Sequence, residues 1–379
     1  MATIILKNLY HNGEQVKEII QNGDIIYVGA QKLVFDVDKD NISFEDTGGS
    51  TTIAITANDK WTMTKPEWIT ASQTSGTSTA TITLSASATG TERTGNIVIA
   101  CGGKTKTISV IQAQDYSKMY LTIEALEDGN FVARNSSLYY SINNGEWTGV
   151  ITGQNIPLSN GDKVRFKGNS ASYNGVFSRN TIRHKVYGNI ESLLYGDNFV
   201  DKTSPGPLSN LFKGSSGLVD ASNLVLPATT LAEACYSNMF DGCTSLTAAP
   251  TILPATTLAL LCYQSMFSGC TSLTTAPELP ATTLANYCYT SMFQGCTSLT
   301  SAPELNAPTL NQESYSYMFN GCTNLNYVKC LATNNSAYNC VIFWLVDVAA
   351  SGTFVKKAGV RWNDGGVSGI PSGWTVIEE

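Results

Sequence analysis

The chain has 379 residues, of which 42% are hydrophobic and 14% charged, and its formal net charge is −7. This apolar content suffices for packed cores and excludes a disordered chain, while the acidic balance argues against nucleic acid or an anionic membrane surface as the main partner. No apolar run approaches the length of about 18 residues that a membrane-spanning helix needs.

The first 30 residues predict a small antiparallel β-meander. Three apolar runs are separated by Asn-Gly pairs, which are typical of two-residue hairpin turns because both positions accept positive φ. A sheet of this size is marginally stable alone, so the segment is either an attachment element that pairs with another protein or the first strands of the next domain. The candidate docking residues are Tyr10, Asn12, Gly13, Asn22, Gly23 and Tyr27.

The N-terminus does not have the pattern of a secretory signal peptide. It lacks a basic start, its apolar run is short, and a predicted turn follows at once. We therefore expect a chain that carries no export signal of its own.

Residues 31–114 predict a β-sandwich, because short apolar or alternating runs are separated by Gly and Ser-Gly at regular intervals. Trp61 and Trp68 are candidate ligand-binding residues, since an indole ring can stack on a sugar; the alternative is that they belong to the sandwich core. The acidic run DVDKDN begins like a calcium loop. It has Asn41 where that loop needs glycine and Thr47 where it needs glutamate, so no calcium site is predicted.

The same stretch resembles a BACON domain. The features that carry the resemblance are the paired tryptophans, a T-x-R-x-G segment and a last strand that closes in V-x-Q: Trp61, Trp68, Thr91, Arg93, Gly95, Val110 and Gln112. The resemblance implies binding of carbohydrate. This role is proposed for family members because of the proteins and modules with which they occur in gut Bacteroidetes and their phages. BACON domains also occur in virion proteins of crAss-like phages.

Residues 115–204 predict a second β-rich domain with Asn-Gly turns at Asn144 and Asn160. The stretch SINNGEWTGV beside GDKVRFKGN resembles the segment that leads into surface-antigen-type leucine-rich repeats of gut Bacteroidetes. The implied role is to cap the first repeat, whose apolar face would otherwise meet water. Trp147 is a further candidate ligand-binding residue, although alternation along strands places about half of such aromatics in the core.

Residues 205–340 consist of sequence repeats that are nearly identical to one another. Met239, Met266, Met292 and Met318 recur 27, 26 and 26 residues apart, each within an MF-x-GC segment, and a fixed period in this range predicts a solenoid. A degenerate unit near Asn210 precedes them. The pattern resembles surface-antigen-type (BspA-like) leucine-rich repeats, with MF-x-GC-T-S-L in place of the commoner AF-x-GC-x-x-L.

Within a repeat the apolar spacing predicts a short helical turn. The spacing runs through Leu258, Leu261, Cys262, Ser265 and Met266, which is the i, i+3, i+4, i+7 pattern of one helix face. A Thr-Thr pair ahead of it can cap the turn, and a glycine is expected to end it. The terminating glycines are Gly242, Gly269, Gly295 and Gly321.

Nine of the ten cysteines lie between Cys235 and Cys340, mostly in C-x7-C pairs. The fourth repeat breaks the pairing, with Ser314 opposite Cys322, so an obligatory bridge within each repeat would leave a stranded thiol. We therefore expect small apolar fillers in two columns along the solenoid rather than disulfides. The histidines His11 and His184 lie far from the repeats, and a zinc site is not expected.

The variable positions of the repeats are small and mostly uncharged. They include Asn238, Asp241, Ser268, Gln294 and Asn320. The surface that they form is either a solvated face or a flat polar face that contacts a glycan or a protein. A site for a charged ligand is not predicted within these repeats.

Residues 341–379 are expected to cover the last repeat and to close the sheet edge with the strands GTFVKK and GWTVIEE. Trp362 and Trp374 flank a Gly- and Pro-rich loop between and beside these strands. They form either the core of this cap or a platform for a sugar.

No catalytic, metal-ligating or cofactor-binding residue is nominated, because the chain lacks a phosphate-binding GxxxxGK[ST] loop, a G-x-S-x-G elbow and a histidine cluster. We expect a mainly β, multidomain, non-enzymatic protein: an N-terminal attachment segment, an immunoglobulin-like sandwich, a β domain, a leucine-rich-repeat solenoid with short helical turns and a C-terminal cap. The first hypothesis is a bacteriophage virion appendage, on capsid or tail, that docks on other virion proteins and displays modules for host-surface or mucus glycans. The second is a Bacteroidetes cell-surface adhesin or glycan-binding protein.

Overall fold

The computed structural model describes residues 5–11, 14–21, 24–45, 47–87, 89, 92–203 and 206–379, with backbone alone for the strands before residue 33. The chain divides into two compact units, Met1–Asp115 and Tyr116–Glu379. The second unit contains all three segments that sequence analysis separated at residues 204 and 340. The described residues are mainly β, with several sheets and one short α-helix.

The described residues of the first unit form twelve strands. They are β1 (Ile5–His11), β2 (Glu14–Gln21), β3 (Asp24–Lys32), β4 (Phe35–Val37), β5 (Asn41–Phe44), β6 (Gly48–Ala57), β7 (Trp61–Thr64), β8 (Ile69–Ala71), β9 (Ser75–Gly76), β10 (Ala80–Ser87), β11 (Arg93–Cys101) and β12 (Lys104–Gln112).

The second unit contains twelve further strands among its described residues. They are β13 (Leu121–Ala125), β14 (Gly129–Val132), β15 (Leu138–Ile142), β16 (Thr148–Gly149), β17 (Asn155–Leu158), β18 (Lys163–Gly168), β19 (His184–Asn189), β20 (Leu218–Asp220), β21 (Leu224–Val225), β22 (Tyr327–Cys330), β23 (Gly352–Lys356) and β24 (Trp374–Glu378). The helix α1 spans Ser192–Tyr195, and single 3-10 turns span Tyr116–Lys118 and Gly196–Asn198.

The N-terminal strands form the predicted meander. The antiparallel sheet has the order β1-β2-β3, and the pairs His11↔Glu14 and Gln21↔Asp24 leave two residues for each connection. The predicted docking residues Asn12, Gly13, Asn22 and Gly23 lie outside the described residues. Tyr10 and Tyr27 lie on β1 and β3, and their side chains are also outside the description.

Two sheets enclose the core of the first unit. One has the order β4-β6-β10-β8 and the other β5-β12-β11-β7-β9. Side chains alternate between core and solvent because successive residues of a strand point to opposite faces; Ile82 and Leu84 of β10, and Ile97 and Ile99 of β11, are all fully buried. The alternating runs of the sequence therefore predicted the buried faces correctly.

The second unit begins with a sheet of order β16-β15-β18-β13-β19-β20, with β21 also paired to β19. β19 pairs in parallel with β20 and β21, through His184↔Leu218 and Gly188↔Leu224. β13, by contrast, pairs with its neighbours in antiparallel fashion. Strand β19 is therefore the element through which the antiparallel sheet continues into the repeats.

The repeats form stacked coils that hydrogen-bond to one another instead of helical turns, so the helical prediction is wrong. The Phe240 N–H donates to the Met266 carbonyl of the next coil at 2.8 Å, and the Phe267 N–H donates to Met292 O at 2.9 Å. The amides between them close i→i−3 turns, as Met266 N–H does with Tyr263 O at 3.2 Å.

The reason is that every fourth residue of a coil has a left-handed backbone. In the coil that contains Met266 these residues are Leu261, Ser265 and Gly269, with φ of 59°, 53° and 68°. A left-handed residue interrupts the i→i−4 ladder of an α-helix. The apolar spacing of a helix is therefore kept while every second amide is turned toward the neighbouring coil.

The coil series is longer than the sequence repeat. The Phe177 N–H donates to Leu211 O at 2.9 Å, and the Phe319 N–H donates to Trp344 O at 3.0 Å. Coils around Phe177 and around Trp344 therefore precede and follow the recognised units. Neither carries the MF-x-GC signature.

The buried interior of the coils consists of aligned columns. One column stacks phenylalanine rings, with centroids 5.3–5.7 Å apart and nearly parallel planes in the repeats. Its fully buried members are Phe177, Phe212, Phe240, Phe267, Phe293 and Phe319. A second column stacks Tyr236, Tyr263, Tyr289 and Tyr315.

All ten cysteines are free and buried, in agreement with the filler role predicted for those of the repeats. The thiols of one column donate to the phenylalanine carbonyl of the preceding coil: Cys243 to Phe212 O at 3.1 Å and Cys270 to Phe240 O at 3.2 Å. Each carbonyl also accepts a turn hydrogen bond within its own coil, from Ser215 N–H to Phe212 O at 2.9 Å and from Cys243 N–H to Phe240 O at 3.0 Å, so the thiol is its second donor. Cysteine is therefore a hydrogen-bond donor of the stack as well as a filler.

We expect these thiols to be unreactive in the folded protein. Burial raises the pKa of Cys262 to about 11 and that of Cys235 to about 12, and only the thiolate is nucleophilic. Titration with a chromogenic disulfide reagent at pH 8 should detect less than about one thiol per native chain, and ten after denaturation. Rapid modification of several thiols in the native protein would contradict the closed packing of the columns.

Candidate binding surfaces

Two of the five candidate tryptophans are buried. Trp61 is fully buried in the first unit, and its indole N–H donates to Ser78 O at 2.9 Å. Trp374 is 7% exposed, and its indole N–H donates to Ala349 O at 2.8 Å. Because both rings pack in cores and both indole donors are already used, we remove Trp61 and Trp374 from the ligand-binding set.

Trp362 packs against the last coil. Its ring stacks on the fully buried Trp344, with centroids 5.2 Å apart and planes at 15°, and it meets the edge of Phe354 at 5.3 Å. The ring is half-buried. This arrangement is that of a cap over the coil end, the first of the two interpretations of Trp362.

Trp68 is half-buried beside the motif residue Arg93. The Arg93 guanidinium carbon lies 5.0 Å from the centre of the Trp68 ring, and Nη2 donates to Gln112 Oε1 at 2.7 Å and Ser87 O at 2.9 Å. Gln112 is fully buried, and its amide donates to the carbonyls of Glu45 and Ser87. The arginine thus joins the end of β10 to β11 and β12.

Glycine is required at the next motif position. A Cβ atom on Gly95 would lie 2.5 Å from Cγ of Pro66, closer than carbon atoms approach. The segment that contains Pro66 therefore packs directly on the β11 backbone. Arg93 and Gly95 of the motif thus hold strands and connecting segments of the two sheets together.

An open polar face lies on the outer side of β5, β12 and β11. Strand register places Asn96 beside Ser109 and Ser109 beside Asn41, and an adjacent row joins Thr94, Ile111 and Ser43. These six side chains are exposed and line a shallow groove of about 520 Å³. The row supplies neutral hydrogen-bonding groups, and Ile111, 42% exposed, adds an apolar contact. Such a surface can bind hydroxyl-rich, uncharged ligands.

Trp147 lies in a cluster of aromatic and charged side chains in the second unit. Lys167 Nζ lies 4.4 Å and the Arg165 guanidinium carbon 5.2 Å from the centre of the Trp147 ring, and Tyr120 meets it edge-on at 5.1 Å. Asp197 accepts hydrogen bonds from Tyr120 and Lys167 at 2.7 and 2.9 Å.

The cluster is internally satisfied. Burial, then the neighbouring Asp197, raise the pKa of Tyr120 to about 12. The two cations already interact with the ring of Trp147. A sugar would have to displace them before it could stack there, and this argues against Trp147 as a ready platform.

The variable positions of the repeats are brought together in adjacent rows. Asn238, Ser265 and Ser291 occupy equivalent left-handed positions of successive coils, linked by Asn238 N–H to Gln264 O at 2.8 Å and Ser265 N–H to Thr290 O at 2.9 Å. On the neighbouring row, Gln294 Nε2 donates to Asn320 Oδ1 at 3.0 Å. The central coils therefore present a neutral polar surface, and the prediction of a flat polar face remains a prediction.

Comparison with known proteins bears on the first unit. Residues 59–113 match the BACON family, whose description reads "Putative binding domain, N-terminal". The resemblance to BACON is confirmed for these residues. The match covers β7 to β12, and so two of the three strands that carry the open polar face.

The other comparisons are less extensive. No curated protein matches the chain. The solved structures that match include a Bacteroides ovatus GH5 xyloglucanase in complex with a XXXG heptasaccharide, at 24% identity and a TM-score of 0.21. That match covers 24% of this chain and 20% of the xyloglucanase chain.

Neither a metal cluster nor a membrane helix is present in the described part of the chain. No three histidine, cysteine or acidic side chains converge there as ligands of an ion. None of the helices found there is long and apolar enough to cross a bilayer.

Proposed function

We propose that this protein binds carbohydrate without catalysing a reaction and that the open polar face of the first unit holds the ligand. The observation that carries the proposal is the BACON match at residues 59–113, within a unit whose motif residues support the fold and leave this face accessible. Family members are proposed to bind carbohydrate. A row of amide and hydroxyl groups suits sugar hydroxyls, which both donate and accept hydrogen bonds.

The face contains no charged side chain among its six residues, so the ligand for this site is a neutral glycan. Asn96 is the main contact, because its exposed amide lines the groove and can both donate and accept hydrogen bonds. Ile111 packs against the apolar face of a sugar ring. Trp68 lies near the same strand but is held by Arg93, and it supports β11 rather than touching the ligand.

The test is a glycan array with the full chain, followed by titration of the best neutral glycan. Replacing Asn96 with alanine should weaken binding by about three- to tenfold, the loss of one or two hydrogen bonds. Thr81→Ala is the control, since Thr81 is exposed on β10 of the other sheet and should leave the affinity unchanged. Equal affinities for all three proteins would reject this face as the site.

We further propose that the first unit contains an immunoglobulin-like sandwich and that the coils of the second unit are leucine-rich repeats of the surface-antigen type. Two sheets around one core and coils with a 26- to 27-residue period support these assignments. The neutral face of the central coils then serves as an extended contact surface.

The cellular role that we favour is a bacteriophage virion appendage, displayed on the particle and docked through the N-terminal sheet to other capsid or tail proteins. The small sheet β1-β2-β3 supports docking, because a sheet of only three strands gains stability by packing on a partner. Weak glycan sites displayed in many copies would gain affinity through avidity. The alternative is a Bacteroidetes surface adhesin.

Mass spectrometry of purified phage particles and of host outer membranes decides between the two roles. Many copies per particle would support the virion role. A chain found only in the membrane fraction would favour the adhesin.

A further inference from the structure

A groove of about 440 Å³ lies at the N-terminal end of the coil series, in the second unit. Three cationic side chains line it, Arg134, Arg179 and Lys213, together with a single carboxylate, Asp241. They belong to a loop after β14 and to three successive coils, so distant parts of the sequence meet there. The chain as a whole carries a net charge of −7, and the groove is therefore a local exception.

The charges in the groove are unbalanced. Lys213 Nζ pairs with Asp241 Oδ2 at 2.7 Å, and this pair uses the only carboxylate of the lining. Arg134 Nη1 donates to backbone carbonyls, including that of Val132 at 3.4 Å. Burial, then the repulsion from Arg179, lower the pKa of Arg134. Two neighbouring arginines thus share the groove without a carboxylate of their own.

Arg179 occupies a position that other coils give to glycine. Its φ is 58°, and the hydrogen bond from Arg179 N–H to Lys213 O aligns it with the column of left-handed glycines. The equivalent residues of the next five coils are Gly214, Gly242, Gly269, Gly295 and Gly321. A side chain in the left-handed region costs roughly 1 kcal/mol or more relative to glycine. Left-handed residues with side chains recur along the coils, and Asp347 of the last coil, with φ of 59°, occupies the same position. What distinguishes Arg179 is therefore the cation that it places in the groove.

The uncharged residues that line the groove favour a sugar as the molecule that carries the anionic group. Neutral amide and hydroxyl groups line the groove beside the arginines, from Asn174, Ser178 and Asn210. Glycines also line it, and they have no side chain that could fill it. Arginine forks bind carboxylate and sulfate oxygens in pairs.

We propose that this groove is a second binding site, which takes the carboxylate or sulfate group of an acidic polysaccharide. Arg134 and Arg179 contact the anionic group, and the surrounding amides contact the sugar hydroxyls. Lys213 contributes charge, and Asp241 limits the affinity because its carboxylate repels the ligand. The site is distinct from the neutral face of the first unit, and a negative result for one of them does not count against the other.

The experiment measures binding of the full chain to polygalacturonate, which offers carboxylates, to dextran sulfate, which offers sulfate esters, and to neutral dextran. Arg179→Gly removes one cation and introduces the residue used by the neighbouring coils, so the fold should be retained. Asp241→Asn removes the opposing charge at nearly constant shape. Arg183→Ala is the matched control, because Arg183 is an exposed cation of the same unit outside the groove.

We expect at least one acidic polysaccharide to bind and neutral dextran to bind far more weakly. Arg179→Gly should weaken the acidic ligand by about three- to tenfold, Asp241→Asn should strengthen it to a similar degree, and Arg183→Ala should change it by less than about twofold. Binding of polygalacturonate alone identifies a uronic acid, and binding of dextran sulfate alone identifies a sulfate ester.

Three results would overturn the proposal. One is equal binding of neutral and acidic polysaccharides, and another is the same affinity for Arg179→Gly and Arg183→Ala. The third is tighter binding of a single-stranded oligonucleotide or a poly-glutamate peptide, either of which would assign the groove to a different anion. Asn96→Ala in the first unit should have no effect on this site, so failure of one site does not imply failure of the other.

Discussion

Replacing Phe267 with alanine is expected to lower the free energy of unfolding by about 3–5 kcal/mol. Phe267 is fully buried, and its ring stacks between Phe240 at 5.3 Å and Phe293 at 5.6 Å. The substitution removes a large buried aromatic side chain from the coil and breaks an aromatic column in two. Backbone hydrogen bonds to both neighbouring coils hold the coil in place, so the cavity cannot close fully.

Urea unfolding of the full chain measures this effect in the transition of the second unit. Leu260→Ala is the control in the same coil, because Leu260 is 38% exposed and should cost less than about 1 kcal/mol. A loss below that value for Phe267→Ala would mean that the coils collapse around the gap. The column would then contribute little to stability.

The second large effect is a dependence of stability on pH that originates at Glu191. Its carboxyl group is fully buried, and neither oxygen has a hydrogen-bond partner among the described residues. Burial raises the pKa of Glu191 from 4.5 to about 8. The unfolded chain therefore releases this proton near pH 4.5, whereas the folded protein holds it until about pH 8.

The contribution of Glu191 to stability, measured as the difference between wild type and Glu191→Gln, should accordingly fall as the pH rises from about 4.5 to 8, by up to roughly 4 kcal/mol, and level off above that range. Glu191→Gln keeps the shape and stays neutral, so it should be the more stable protein at pH 8 and nearly equal to wild type at pH 4.5. Glu233→Gln, at an exposed position, should retain the wild-type slope. The idea fails if Glu191→Gln loses stability with rising pH as steeply as wild type.

His184 acts in the opposite direction on the acid side. It is fully buried, and burial lowers its pKa from 6.5 to about 4. Its protonation favours the unfolded chain as the pH falls from 6.5 toward 4. Glu191→Gln should therefore keep the loss at low pH while losing the decline toward alkaline pH, which separates the two groups in one titration of stability.

The strands were predictable and the coils were only partly so, for a physical reason. Alternation in β10 and β11 reports directly which side chains enter a core. The spacing of Leu261, Ser265 and Met266, however, is shared by an α-helix and by a coil with a left-handed residue in every four. Only the backbone conformation separates the two, and Leu261 and Ser265 carry no residue-type signal for positive φ.

The binding surfaces were less predictable than the fold. Trp61 alternates with the buried Met63 in WTMT, a signal that could have assigned it to the core. Nothing comparable distinguished Trp68. The cationic groove combines Arg134 with coil residues far along the chain, and the coil that bears Arg179 lacks the repeat signature, so no local pattern could have brought them together.

The hydrogen bonds between successive coils follow one pattern, and this allows whole coils to be added or removed during evolution. Each coil offers the same row of amides to one neighbour and the same row of carbonyls to the other, so a duplicated or deleted unit of 26 or 27 residues leaves every joint intact. Unequal recombination within the nearly identical repeats of the gene would yield longer and shorter forms in single steps. Insertions inside the segment of a coil that carries the left-handed residues would shift those positions out of line with the neighbouring coils.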